Sequence, residues 1–423
     1  MPFPPEFWKT VVQRLNGRVR SYLAPFNRGL GILCVGLLVN ALGASLSIPF
    51  IAIYFHSHLD LSLSQIGLFF GAIAVVRAVF QVGGGELSDY IERRPLMVYL
   101  QVTRAVVFFF VALAIYRNWG FWAIGISFLI SSIFGALFQP TANAMVADLL
   151  PAESRLEGYA LARSAGNLGW AIGPAIGGFL AEQSYGLMFA ISALITLASG
   201  IVFGVFFPHS KGARQQEAFT FSDLISVKND LHLAAHCILA FLLYLVVAQL
   251  IAPFSVYTVE IAKIAKNELG LLYMFNGLMI VFFQVPITHL LSRTRLTIQM
   301  ACGAFLYAVG YGMVGLHGGF GYFILAITVV TIGEMFVSPP SLTLTSRLAP
   351  AGRMGRYMGV FGLFLTAGWS FGPVYGGTIL DRFAYSPALA WIFIASLAAL
   401  SGLGYLAFTR KLPDIFNRKP ERD

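Results

Sequence analysis

The chain is poor in charge. Only 11% of its 423 residues are Asp, Glu, Lys or Arg, against about 25% in a soluble globular domain. That excludes a water-exposed surface over most of the molecule. Cysteine is scarce too. Cys34, Cys237 and Cys302 all fall in apolar runs without C-x-x-C spacing, so they read as small core residues, not as disulfides or thiolate ligands. No G-x-x-x-x-G-K-[ST] loop occurs, which argues against ATP drive within this chain. H-E-x-x-H does not occur, which argues against an intramembrane zinc hydrolase. His56, His58 and Asp60 lie close together, and an exposed polar loop is preferred there to a metal site. No enzyme, metal or organic cofactor is expected. The first 28 residues carry Lys9, Arg14, Arg18, Arg20 and Arg28 but no apolar run long enough for a signal-peptide core. They read as a basic surface segment that lies on anionic lipid or sets orientation.

What is abundant is apolar: 57% of the residues are hydrophobic, the composition of a polytopic membrane protein. The net charge of +9 does not point to nucleic acid, because the cations sit in short loops and tails. A span needs about 20 mainly apolar residues. That rule predicts twelve, at 29–55, 64–88, 96–116, 120–148, 157–181, 186–207, 230–258, 267–291, 297–316, 320–346, 357–380 and 388–409. The longest polar break, 208–229, separates a six-helix bundle over 29–207 from another over 230–409. A basic segment (1–28) and a basic tail (410–423) flank them. With both termini in the cytoplasm, only Arg117, Lys263, Lys266 and Arg382 of the 28 Lys and Arg fall in outer loops. This asymmetry supports that orientation.

One decapeptide frame occurs twice. Gly169-Trp-Ala-Ile-Gly173-Pro174-Ala-Ile-Gly177-Gly178 returns as Gly368-Trp-Ser-Phe-Gly372-Pro373-Val-Tyr-Gly376-Gly377, 199 residues later (368 − 169). Pro140 and Pro339 share that offset, as do Pro151 and Pro350. A single copy would read as a packing seam, since small residues let helices approach closely in lipid. Two copies at one offset indicate an internal duplication, as in many transporters.

The frame resembles the fifth-helix signature of major facilitator proton antiporters, G-x-x-x-G-P-x-x-G-G, at every fixed position. A second motif follows the second span: Gly85-Glu86-Leu87-Ser88-Asp89-Tyr90-Ile91-Glu92-Arg93-Arg94. It resembles the superfamily's loop signature G-x-L-a-D-r-x-G-r-k, with Tyr90 and Glu92 as departures. The resemblance implies a cytoplasmic gate at Gly85, Asp89, Arg93 and Arg94, with Asp89 reaching Arg93 at i+4 or the N-terminus of another helix. The corresponding loop after the eighth span, Leu290 to Arg295, lacks the acid. Where the antiporters place a fourth-span Arg, this chain has Ser131, so Arg104 or Arg77 would have to substitute.

Ionisable groups deep in a bilayer face a cavity or a partner. Glu334 is the only acid placed at mid-depth. In the fold resembled, the first, fourth, seventh and tenth helices line the cavity, so Glu334 is expected to carry the coupled proton or meet a substrate cation. A structural ion pair with an arginine is the alternative. Arg77 is expected to pair with an acid or bind an anion, Arg104 to pair with Asp89 or Glu92, and Arg163 to snorkel toward the surface. Polar cavity candidates are Asn40, Gln81, Gln139, Asn143, Tyr244, Gln249 and Asn276. Each is weighed against a role as interhelical glue.

The resemblance therefore implies an all-α membrane protein with the major facilitator fold: twelve transmembrane helices in two halves related by pseudo-twofold symmetry. It implies a monomeric secondary transporter of the bacterial inner membrane, in contact with lipid and a small-molecule substrate and not with nucleic acid. The expected activity is efflux of an amphipathic or drug-like solute by alternating access, with H+ as coupling ion. An importer or facilitator of a small solute, and a transport-inactive receptor or scaffold, are the rival readings.

Overall fold

The computed structural model describes residues 28–151, 154–207, 230–316, 318–350 and 353–417. The expected basic N-terminal segment and the central linker lie outside these residues, apart from Arg28. Among the described residues there is no strand, and twelve long helical segments appear. The first half holds α1 (Arg28–Leu59), α2 (Leu63–Tyr90), α3 (Arg93–Tyr116), α4 (Gly120–Leu149), α5 (Arg155–Gln183) and α6 (Tyr185–Phe206). The second holds α7 (Leu231–Ile261), α8 (Lys266–Leu290), α9 (Leu296–Val314), α10 (Phe320–Leu348), α11 (Met354–Arg382) and α12 (Pro387–Lys411). A single turn, α13 (Asp414–Asn417), follows. Ten of the twelve are long and apolar enough to cross a membrane. The other two, α5 and α11, carry the repeated Gly-Pro frame. Glycines and terminal charges dilute their hydropathy, yet each has 29 residues, more than the roughly 20 a span requires.

Local chemistry sets the breaks. α1 is interrupted at Leu46–Ser47 and restarts with Pro49 in its first turn, where a missing N–H costs nothing. α7 is interrupted at Ala248–Leu250 and restarts at Pro253, the equivalent place in the other half. α2 opens with a capping box in which Ser62 Oγ accepts from Gln65 N and Gln65 Oε1 accepts from Ser62 N. Asp230 caps α7 by accepting from His232 N and Leu233 N at 2.9 and 3.0 Å.

The packing is duplicated. In the first half α1 packs on α5 and α6, α3 on α4 and α6, and α2 on α4. In the second α7 packs on α11 and α12, α9 on α10 and α12, and α8 on α10. Adding six to each helix number converts the first set into the second. The halves meet through α2 with α11 and α5 with α8, a pair that the same operation exchanges.

The repeated glycines explain these contacts. A Cβ on Gly173 would come 2.9 Å from Leu42 O, and one on Gly372 would come 2.8 Å from Leu245 O. Gly169 and Gly177 rest on Leu38 and Leu46, and Gly368 rests on Phe241 and Tyr244. This glycine face holds α5 to α1 and α11 to α7 at backbone distance. The last glycine of each frame points the other way: Gly178 lies against Lys266 of α8, and Gly377 against Leu63 of α2.

Those contacts lie at the end of the molecule opposite Arg28 and Asn417. Gly67 against Pro373 and Gly270 against Pro174 extend them toward the middle. At the terminus-bearing end the halves part. A Cβ on Gly83, Gly166, Gly355 or Gly362 would meet nothing within 4 Å. One apolar core runs through both halves, whereas Leu30, Leu96, Phe138, Met145 and Phe203 form a separate cluster in the first half. The molecule is sealed at the end away from its termini and open at the end that bears them.

Candidate functional site

A cavity of about 360 Å³ lies between the halves. Glu334 and Ser338 of α10, Tyr244 of α7, Tyr307 of α9 and Trp369 of α11 line it, and Arg163 of α5 joins them from the first half. Arg163 therefore faces the cavity, with its side chain exposed. Tyr244 and Trp369 stand edge-to-face with centroids 6.4 Å apart.

Glu334 is half-buried. Asn276 Nδ2 donates to Thr331 Oγ1 at 2.8 Å and reaches Glu334 Oε2 at 3.5 Å. Among the described residues no cation lies within salt-bridge distance of Glu334, so its carboxyl is free to meet a proton or a solute. Proline shapes this part of α10. Pro339 has no N–H for Met335 O, four residues back, and Gln284 Nε2 of α8 donates to that carbonyl at 3.3 Å.

The other embedded polar residues of the first half are held apart from this cavity. Arg104 is buried, and its Nη1 donates to Asn40 Oδ1 at 3.1 Å, with Ser131 Oγ at 3.4 Å from Nε. Its guanidinium sits 5.3 Å from the Phe108 ring centroid and against Gly135. Asn40 Oδ1 also accepts from Gln101 Nε2 at 2.7 Å. Arg104 thus pairs with neutral groups and not with the expected Asp89 or Glu92. Arg77 and Gln81 of α2 are exposed, as are Gln139 and Asn143 of α4, where Gln139 Nε2 donates to Asn143 Oδ1.

Gln249 is not a cavity residue. It is fully buried, and its amide donates to Leu245 O at 2.6 Å and to Gly372 O at 2.8 Å, so it ties α7 to α11. Of the gate residues, Gly85 and Asp89 lie in α2, but their side chains are outside the described set. Arg93 is buried and ion-paired with Asp148 of α4, and it donates to Ala144 O. Arg94 Nη2 donates to Gly204 O of α6. Both arginines thus bind α3 to its own half.

At the closed end, sequence reasoning missed a pair of helix caps. Asp381 of α11 accepts from Leu63 N at 3.1 Å and from Ser64 N at 2.7 Å, opposite the start of α2. Glu182 of α5 accepts from Lys266 N at 2.6 Å, at the start of α8. Each acid stands four residues beyond the last glycine of its frame, a signal present in the sequence. Tyr307 and Trp369 were also missed, since nothing separates a cavity aromatic from a lipid-facing one by spacing alone.

The profile described as Major Facilitator Superfamily matches residues 33–373 and 237–423. The chain belongs to the major facilitator superfamily. Its fold is similar to that of a POT family transporter crystallised with 5-aminolevulinic acid, with a TM-score of 0.75 at 15% identity over 91% of this chain and 97% of that one. It is also similar to the nucleoside transporter NupG, with a TM-score of 0.74 at 13% identity over 90% of this chain and 100% of that one. Among curated superfamily members, the uncharacterized MFS-type transporter YttB of Bacillus subtilis (strain 168) is 27% identical over 88% of this chain and 94% of its own length. Multidrug resistance protein MdtH of Shigella sonnei (strain Ss046) is 22% identical over 89% and 93%. This superfamily member is thus a multi-pass membrane transporter and not an enzyme.

Proposed function

We propose that this transporter exports a small amphipathic solute in exchange for protons, across a bacterial inner membrane with both termini in the cytoplasm. The observation that carries the reading is Glu334: a carboxyl without a cationic partner among the described residues, lining an aromatic cavity that opens on one side only. Tyr244, Tyr307 and Trp369 offer flat apolar faces to a solute, and Ser338 a hydroxyl. Glu334 exchanges its proton with the solute as the halves rock about the glycine seams. The drug-export direction is supported by the relatedness to MdtH, whose name records multidrug resistance.

The experiment is reconstitution in proteoliposomes, using compounds found by a growth and accumulation screen with and without the gene. An imposed pH gradient is expected to drive uphill movement of the solute, and its collapse to abolish that movement. Flux down the solute's own gradient, indifferent to pH, would favour a facilitator. Binding with no flux in either direction would favour a receptor.

A further inference from the structure

The embedded part of the first half holds cations and no acid. None occurs between Asp60 and Glu86, between Glu92 and Asp148, or between Glu157 and Glu182, yet these stretches contain Arg77, Arg104 and Arg163. A charged side chain at mid-membrane is costly and marks a partner or a pathway. Arg104 is accounted for by Asn40, Ser131 and the Phe108 ring. Arg77 makes no hydrogen bond or ion pair among the described residues, and it is exposed.

Helix register places Arg77 on the side of α2 that faces α4. Gly84 of α2 rests on Leu137 of α4. Seven residues earlier, two helical turns, each helix presents the same face again: Arg77 on α2 and Ile130 on α4. Ser131, the next residue, is bonded to Arg104. By this register the two arginines flank one turn of α4, with no acid between them in sequence. Like charges held together without a counter-charge are destabilising unless an anion visits.

The duplication sharpens the contrast. In the first half Arg104 of α3 lies against Gly135 of α4. The residues 199 further on are Gly303 and Glu334, and Gly303 of α9 lies against Gly333 of α10. Matching helix crossings thus carry a cation in one half and a carboxyl in the other.

We propose that Arg77, with Arg104 fixed behind it, forms an anion subsite on the first-half side of the space between the halves, apart from the residues that line the Glu334 cavity, and that the transported solute bears an acidic oxyanion such as a carboxylate. Arg77 supplies the planar fork that suits two oxygens at once. Arg104, held by Asn40, supplies a fixed positive field. The proposal rests on the space between the halves being the solute site.

The test uses the purified full-length protein and three probes with one apolar body: phenylbutyrate, phenylbutylamine and phenylbutanol. Binding is read by tryptophan fluorescence and calorimetry. Phenylbutyrate is expected to bind roughly tenfold tighter than the alcohol. Arg77→Gln should erase that preference while leaving alcohol binding and elution profile unchanged, and Arg77→Lys should keep part of it. Equal or better binding of the alcohol or amine by the wild type, no binding of any probe, or an undiminished preference in either variant would overturn the subsite. Carboxylate preference without gradient-driven flux would leave the subsite standing and remove the transport reading. Gradient-driven flux of an uncharged solute, equal in wild type and Arg77→Gln, would do the reverse.

Discussion

Glu182 and Asp381 stand 199 residues apart and make the same contact in opposite directions. Each carboxylate accepts from the first backbone N–H of a helix in the other half, Lys266 N for Glu182 and Leu63 N for Asp381. The opening turn of a helix leaves its N–H groups without partners and carries positive potential, so a carboxylate there is doubly favoured. These contacts cross the boundary between the halves at the sealed end, and a form open at that end must break both.

Removing the charge should therefore loosen that seal. Asp381 is part-buried and makes contacts to Leu63, Ser64 N and Ser64 Oγ, whereas Glu182 is exposed and has one. Asp381→Asn should cost the closed form about 1 to 2 kcal/mol, or roughly a tenfold shift in population. Glu182→Gln should cost less, because solvent screens it. Double electron–electron resonance between spin labels on the α2–α11 faces would show a longer distance becoming populated, more so for the Asp381 variant. An unchanged distance distribution in Asp381→Asn would contradict this role.

The glycines divide by what a methyl would strike. Gly67→Ala and Gly270→Ala would push into the carbonyls of Pro373 and Pro174 across the boundary between halves. Overpacking of that kind costs about 1 to 3 kcal/mol, and both variants should populate the sealed form less. Gly83→Ala and Gly362→Ala meet open space and should leave it intact. Resistance of the closed end to a membrane-impermeant thiol reagent, probed with an engineered cysteine there, separates the two sets.

Gln249 and Trp369 predict opposite phenotypes. Gln249→Ala removes two hydrogen bonds from a fully buried seam and should lower thermal stability by about 1 to 3 kcal/mol. Trp369→Ala opens the cavity wall and should weaken solute binding with a smaller effect on melting. Melting curves and flux assays on the same two preparations check the pair.

The membrane architecture was legible because it is written in runs and offsets. Apolar stretches, loop cations and the repeated Gly-Pro frame each report one dimension of a long rod, and duplication makes the signal redundant. Side-chain direction was not legible. A polar residue in a span looks the same whether it ties helices, as Gln249 does, or lines a cavity, as Tyr244 does. Arg163 was not legible as a cavity residue, because depth along a helix says nothing about which face carries the charge. Arg104 was given an acidic partner by proximity in sequence, whereas its partner is the amide of Asn40, brought to it by the packing of α1 and α3 against α6. Asp381 and Glu182 resembled ordinary loop charges until the opposite half came into view.

The central claim is that Glu334 exchanges a proton with the solute, and proton movement itself tests it most directly. In proteoliposomes holding a pH-sensitive dye, adding solute to the wild type should move protons along with the compound. Glu334→Gln should bind the solute and permit its exchange while moving no protons. Solute-driven proton movement of equal size in Glu334→Gln would contradict the account.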